Sequence, residues 1–169
     1  LILLAVVGFT VPELETIAVA DFGLGELEQS GAQILTLVDT PEIAVKLIAL
    51  FPDQTLPEHR HPRLGSYPGK AETLRCEWGE IYLVAEGEPT PDPRAHPPAH
   101  RRDTYTVRHE VVLHPGDQVT LPPDTLHWFQ AGPRGGVVWS FSSRATDVQD
   151  VFADPEIERE RSEERRVGK

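Results

Sequence analysis

The sequence predicts an all-β protein folded as one sandwich or barrel. From Gln33 onward, short β-like runs follow one another, broken by Gly, Pro and Asp. No helical pattern separates these runs, which excludes an alternating α/β architecture. The length of 169 residues suits a single domain with a full core.

Val11 to Val19 reads as a short N-terminal helical segment, with Pro12 in its first turn and Leu14, Ile17 and Ala18 on one side. Strands are expected at Gln33 to Asp39, Val45 to Phe51, Thr55 to His61, Glu72 to Cys76 and Glu80 to Ala85. Four more are expected at Thr104 to Leu113, Gln118 to Leu121, Leu126 to Ala131 and Val137 to Phe141. Glu88 to Asp103 breaks the rhythm. Its prolines 89, 91, 93, 97 and 98 cannot donate ladder hydrogen bonds, so a long surface loop is expected, with His96 and His100 solvated in it.

The domain is placed at residues 1–160. Arg161 to Lys169 resemble the translation of a sequencing adapter and are set aside from it. The start at Leu1 and the absence of methionine suggest a beginning inside a longer reading frame.

Hydrophobic residues make up 39% and charged residues 25%, ordinary values for a globular chain. A net charge of −11 argues against nucleic-acid binding and against a basic membrane-binding face. The apolar run Leu1 to Val7 is too short to span a bilayer. Cys76 is the single cysteine, so no internal disulfide forms; a reducing, cytoplasmic setting is expected, with Cys76 a small buried residue.

The residues that carry chemistry are His59, His61, Glu72 and His127. Histidines separated by one residue share a face of a strand. A carboxylate and a third imidazole from other strands would complete a four-ligand site for a divalent metal, with positions left open for substrate. Such a mixed nitrogen and oxygen set suits Mn, Fe, Co, Ni or Zn.

The strings around these ligands resemble the two cupin motifs. The first comprises His59-Arg60-His61, Glu72 and Gly79; the second comprises Gly116, Pro122 and His127. The stretch Pro62 to Ala71 is longer than the usual spacing, and Asp53, Asp124 and Ala131 stand where glycine, glycine and asparagine are common. Longer strings are similar to bacterial D-lyxose ketol-isomerases: Gln54 to Pro62, Gly69 to Cys76, Tyr105 to Glu110, and Pro123 to Gly132. Asp21 to Gly25 and Phe152 to Pro155 fit as well.

The resemblance implies a single cupin (jelly-roll) β-barrel, a manganese-type ion, a monosaccharide substrate and a homodimer. It also implies interconversion of D-lyxose with D-xylulose and of D-mannose with D-fructose. It assigns an active-site lysine to Lys70, two residues before Glu72 and on the same face of an extended segment. It expects a glutamate at the place held by Ser140. A serine hydroxyl is not a base near neutral pH, so Glu110 and Asp147 are the candidate substitutes. Arg75 and Gln130 are further candidates for binding sugar hydroxyls, Tyr105 for lining the cavity, and Trp128, Phe129 and Trp139 for an apolar wall. The same ligands would also serve an oxygenase or a sugar-binding protein without turnover.

Overall fold

The structure, a computed structural model, describes Gly8 and residues 17–158. Among the described residues, nine strands form one curled antiparallel sheet: β1 Ile17–Ala20, β2 Ala32–Asp39, β3 Ile43–Leu50, β4 Thr55–Arg60, β5 Glu72–Ala85, β6 His109–Leu113, β7 Gln118–Leu121, β8 His127–Ser143 and β9 Val151–Phe152. Two 3₁₀ turns, Ala99–Thr104 and Asp147–Gln149, are the helical elements among the described residues. No helix there is long and apolar enough to cross a membrane.

The order β1-β2-β3-β8-β4-β9 runs across the sheet, and β5 pairs with β6, β7 and β8. β8 organises the barrel: its first half pairs with β4, its second with β3, and nearly all of it with β5. Its curling encloses Leu50, Leu74, Ile81, Leu83, Phe129 and Val138, all buried. This architecture is that of the expected cupin barrel.

The expected helix at Val11 to Val19 is not formed where the structure describes it. Ile17, Ala18 and Val19 belong to β1, paired with Leu35, Ile34 and Gln33, since pairing satisfies their backbone groups along an existing edge. Residues 11–16 lie outside the described residues. Two pairs of expected strands also merge. Glu72–Cys76 and Glu80–Ala85 are one strand, as are the two runs of β8. Gly79 and Gly135, both at positive φ, sit at bulges where the two long strands bend together. A Cβ on Gly79 would collide with the Gly135 carbonyl, so glycines read as turn signals permit close approach instead.

Candidate metal centre and active site

β4 and the start of β8 lie side by side, with His59 opposite His127 in register. His61 follows two residues after His59 and faces the same interior. The ligand nitrogens of His59, His61 and His127 lie within 4.8 Å of one another, and all three residues are buried. Glu72, the first residue of β5, brings its Oε2 to 3.1 Å from His61 Nε2 and 3.7 Å from His127 Nε2.

The local chain path explains Lys70. After β4 the long stretch from Pro62 turns back through the Leu64–Tyr67 bridge. Gly69, at φ 100°, then passes so close to β4 that a Cβ would lie 2.6 Å from the His61 carbonyl. Lys70 thereby enters the interior, 4% exposed, with Nζ 3.5 Å from Glu72 Oε1 and 3.0 Å from Asp147 Oδ1. Asp147 Oδ2 is also paired with Lys46 of β3. Ser140 donates to Glu72 Oε1.

The imidazoles are oriented for metal binding. His59 Nδ1 lies 2.8 Å from the Pro57 carbonyl and His127 Nδ1 lies 2.9 Å from that of Thr125. A carbonyl only accepts, so each Nδ1 carries the proton and each Nε2 offers its lone pair. His127 Nε2 is buried without a hydrogen-bond partner, the arrangement expected of a ligand atom. His61 Nδ1 lies 2.6 Å from Asp150 Oδ1, so this ring bridges two carboxylates. A divalent cation would take the place of the proton between His61 and Glu72, and the donor set fits one.

Burial, then the charges of His127 and His61, keep His59 well below the usual imidazole range, favouring the neutral ligand form. Burial opposes protonation of His61, but Asp150 and Glu72 win and raise it. Burial would lift Glu72, yet the Lys70 charge, then His127 and His61, hold its carboxyl well below the ordinary range. Burial likewise works against the Lys70 cation, while Glu72 and Asp147 push its affinity for the proton up. Lys70 is therefore a buried ammonium.

Lys46, Lys70, Ser140, Asp147 and Asp150 share one cavity with His59, His61 and Glu72, walled by Ile48, Leu56, Phe129 and Phe152. Asp147 thus lies in the site. Glu110 does not: its carboxylate accepts from the Arg94 and Ala95 backbone amides and secures the proline-rich loop.

The structure also places Arg75, Tyr105, Trp128 and Gln130 away from this cavity. Arg75 donates to Gly116 O and Gln118 on the outer surface. Strand alternation turns Trp128 opposite to His127, into a separate core with Tyr105, Tyr82 and Val84. Gln130 is fully engaged with the backbones of Asp53 and His96 and with Thr55. Trp139 stacks on Phe141 outside the cavity.

Two residues of the site escaped sequence reading. A lysine interrupting the apolar run Ala44 to Leu50 was a usable signal for Lys46. Asp150 had none, because Arg144 to Asp150 reads as an ordinary polar loop.

No family model matches the chain. A D-lyxose ketol-isomerase of Thermofilum sp. is 51% identical over 155 residues, covering 92% of this chain and 86% of that protein. The chain belongs to the D-lyxose ketol-isomerase family. It is an enzyme of the aldose–ketose isomerase class. A D-lyxose/D-mannose isomerase of Thermosediminibacter oceani is also 51% identical, over 90% of this chain and 84% of that protein. Among solved structures, the L-ribose isomerase of Acinetobacter sp. DL28 in complex with L-ribose superposes with a TM-score of 0.78 at 16% identity, covering 96% of this chain and 91% of that one. The L-ribose isomerase of Cellulomonas parahominis with L-ribose gives 0.72 at 17%, over 92% and 88%. These two likenesses concern the fold.

Proposed function

We propose that the chain interconverts D-lyxose with D-xylulose, and D-mannose with D-fructose, by proton transfer between C2 and C1 of the open-chain sugar. The observation that carries this reading is an acid–base pair, buried Lys70 and half-buried Asp147, in one cavity with His59 and His61 of the three-histidine cluster. The two sugar pairs follow from what the relatives are named for.

His59, His61, His127 and Glu72 would hold one divalent ion, Mn²⁺ by preference; Co, Fe, Ni and Zn suit the same donors. When bound, that ion supplies Lewis acidity to sugar oxygens beside it and acidifies the proton on C2. Asp147 is the base in this reading. It takes the C2 proton and returns it to C1, while the O2 hydroxyl loses a proton and O1 gains one, so the enediol forms and collapses without net gain or loss. Lys70, a fixed ammonium, stabilises the negative charge that develops on the enediolate oxygens. Ser140 holds Glu72 rather than the sugar, and Asp147 takes over the part of the expected glutamate.

A coupled assay with Mn²⁺, following D-xylulose from D-lyxose and D-fructose from D-mannose, tests this beside an EDTA-treated control. Metal-dependent turnover of both is the expected outcome. A folded, metal-loaded protein that binds sugar without turnover sinks the reading and favours a sugar-binding role; oxygen consumption favours an oxygenase.

A further inference from the structure

Asp147 and Asp150 stand three residues apart on one short segment between β8 and β9. The 3₁₀ turn Asp147–Gln149 contains no buried residue and Val148 is 70% exposed, so polar contacts rather than packing hold the segment over the cavity. Asp147 pairs with Lys46 and Lys70. Asp150 pairs with His61 at 2.6 Å, both side chains 4% exposed. His59 and His127 take their orientation from backbone carbonyls two residues before them in the chain. His61 alone among the three takes it from a side chain, 89 residues away in sequence.

We propose that Asp150 is the positioning residue of His61, so that docking of the 147–150 segment completes the metal centre and delivers Asp147 in the same movement. With Asp150 in place, the His61 Nδ1 proton is fixed and Nε2 points inward as a ligand. Without it the ring is free to rotate or to change tautomer. Because coupling between two equilibria is reciprocal, metal binding in turn favours the docked segment. The inference rests on the metal-centre reading above.

The test is direct titration of the metal-free full chain with Mn²⁺, without sugar. Asp150→Ala should weaken binding by about 10- to 100-fold, the usual effect of losing a ligand's orienting partner. Asp150→Asn keeps the acceptor and loses the charge, and should fall between Asp150→Ala and the unaltered chain. Val148→Ala, on the same segment but 70% exposed, should bind within about threefold of the unaltered chain. Limited trypsin digestion supplies a second readout. Mn²⁺ should slow cleavage after the exposed Arg144 in the unaltered chain and not in Asp150→Ala.

An Asp150→Ala affinity within threefold of the unaltered chain overturns the proposal, as does a Val148→Ala loss equal to that of Asp150→Ala. Should Asp150→Ala fail to fold, an Asp150→Asn affinity equal to the unaltered chain's overturns it. An unaltered chain that takes up no ion overturns the metal-centre reading and this one together.

Discussion

Ser140 stands directly opposite Lys46 on the β3–β8 ladder, and each side chain engages a different acid of the cavity. Ser140 donates to Glu72, and Lys46 pairs with Asp147. Asp147 is in turn shared with Lys70, so two lysines and two carboxylates form one chain of charge that runs from half-buried Lys46 and Asp147 to buried Lys70 and Glu72 beside the histidines.

Ser140→Ala removes one neutral donor to Glu72, whose Oε1 retains Lys70. The expected cost is about 1 kcal/mol of stability, with turnover kept within about tenfold. Asp147→Asn removes the base and should lower kcat by about 10²- to 10⁴-fold with little change in KM. Steady-state kinetics on both variants checks the assignment; equal losses would speak against Asp147.

Lys70→Met leaves the Glu72 and Asp147 carboxylates without their shared cation in a buried site. Breaking such a pair typically costs about 3–5 kcal/mol, so the urea midpoint of the metal-free variant should fall markedly. Lys70 is 4% exposed, so solvent offers little compensation.

The pH dependence of metal-free stability has a definite sign. Glu72 is held well below the ordinary glutamate value of 4.5, so the unfolded chain binds its proton first on acidification. The stability it contributes is present above about pH 4.5 and is lost as pH falls through its lower folded value. Urea midpoints at descending pH should drop more steeply for the unaltered chain than for Glu72→Gln. Parallel curves would show that Glu72 does not carry this linkage.

Metal removal should be visible in thermal melting. An ion at 100 times its Kd adds about 2.7 kcal/mol to a folded state that alone binds it. Mn²⁺ should therefore raise the Tm of the unaltered chain, EDTA should reverse the gain, and neither should act on His127→Ala.

Cys76 gives a check on the core. Burial pushes its thiol up to about 11, and its neighbours Asp117, Glu77 and Glu80 push the same way. The native protein should resist a thiol reagent at pH 8 and react fully once unfolded in urea.

Much of the fold and site was legible in the sequence. Period-two alternation puts His59 and His61 on one face, and Lys70 with Glu72, whatever the surrounding barrel does. Breaks at Gly and Pro delimit most strands, and the proline-rich loop excludes itself from the sheet by its missing donors. Other features depend on contacts between distant segments. Ile17 to Val19 became a strand because β2 offered them an edge. Gly79 and Gly135 became bulges because two long strands cross there. Trp128 and Gln130 adjoin His127 in sequence, yet they turn into a separate core and a backbone clasp because alternation carries them to the other face. Asp147 and Asp150 enter the cavity only because Lys46, Lys70 and His61 converge from three other stretches of chain. Local periodicity decides which side chains share a face; which faces meet, and which charges are thereby buried together, is decided only when the whole chain closes.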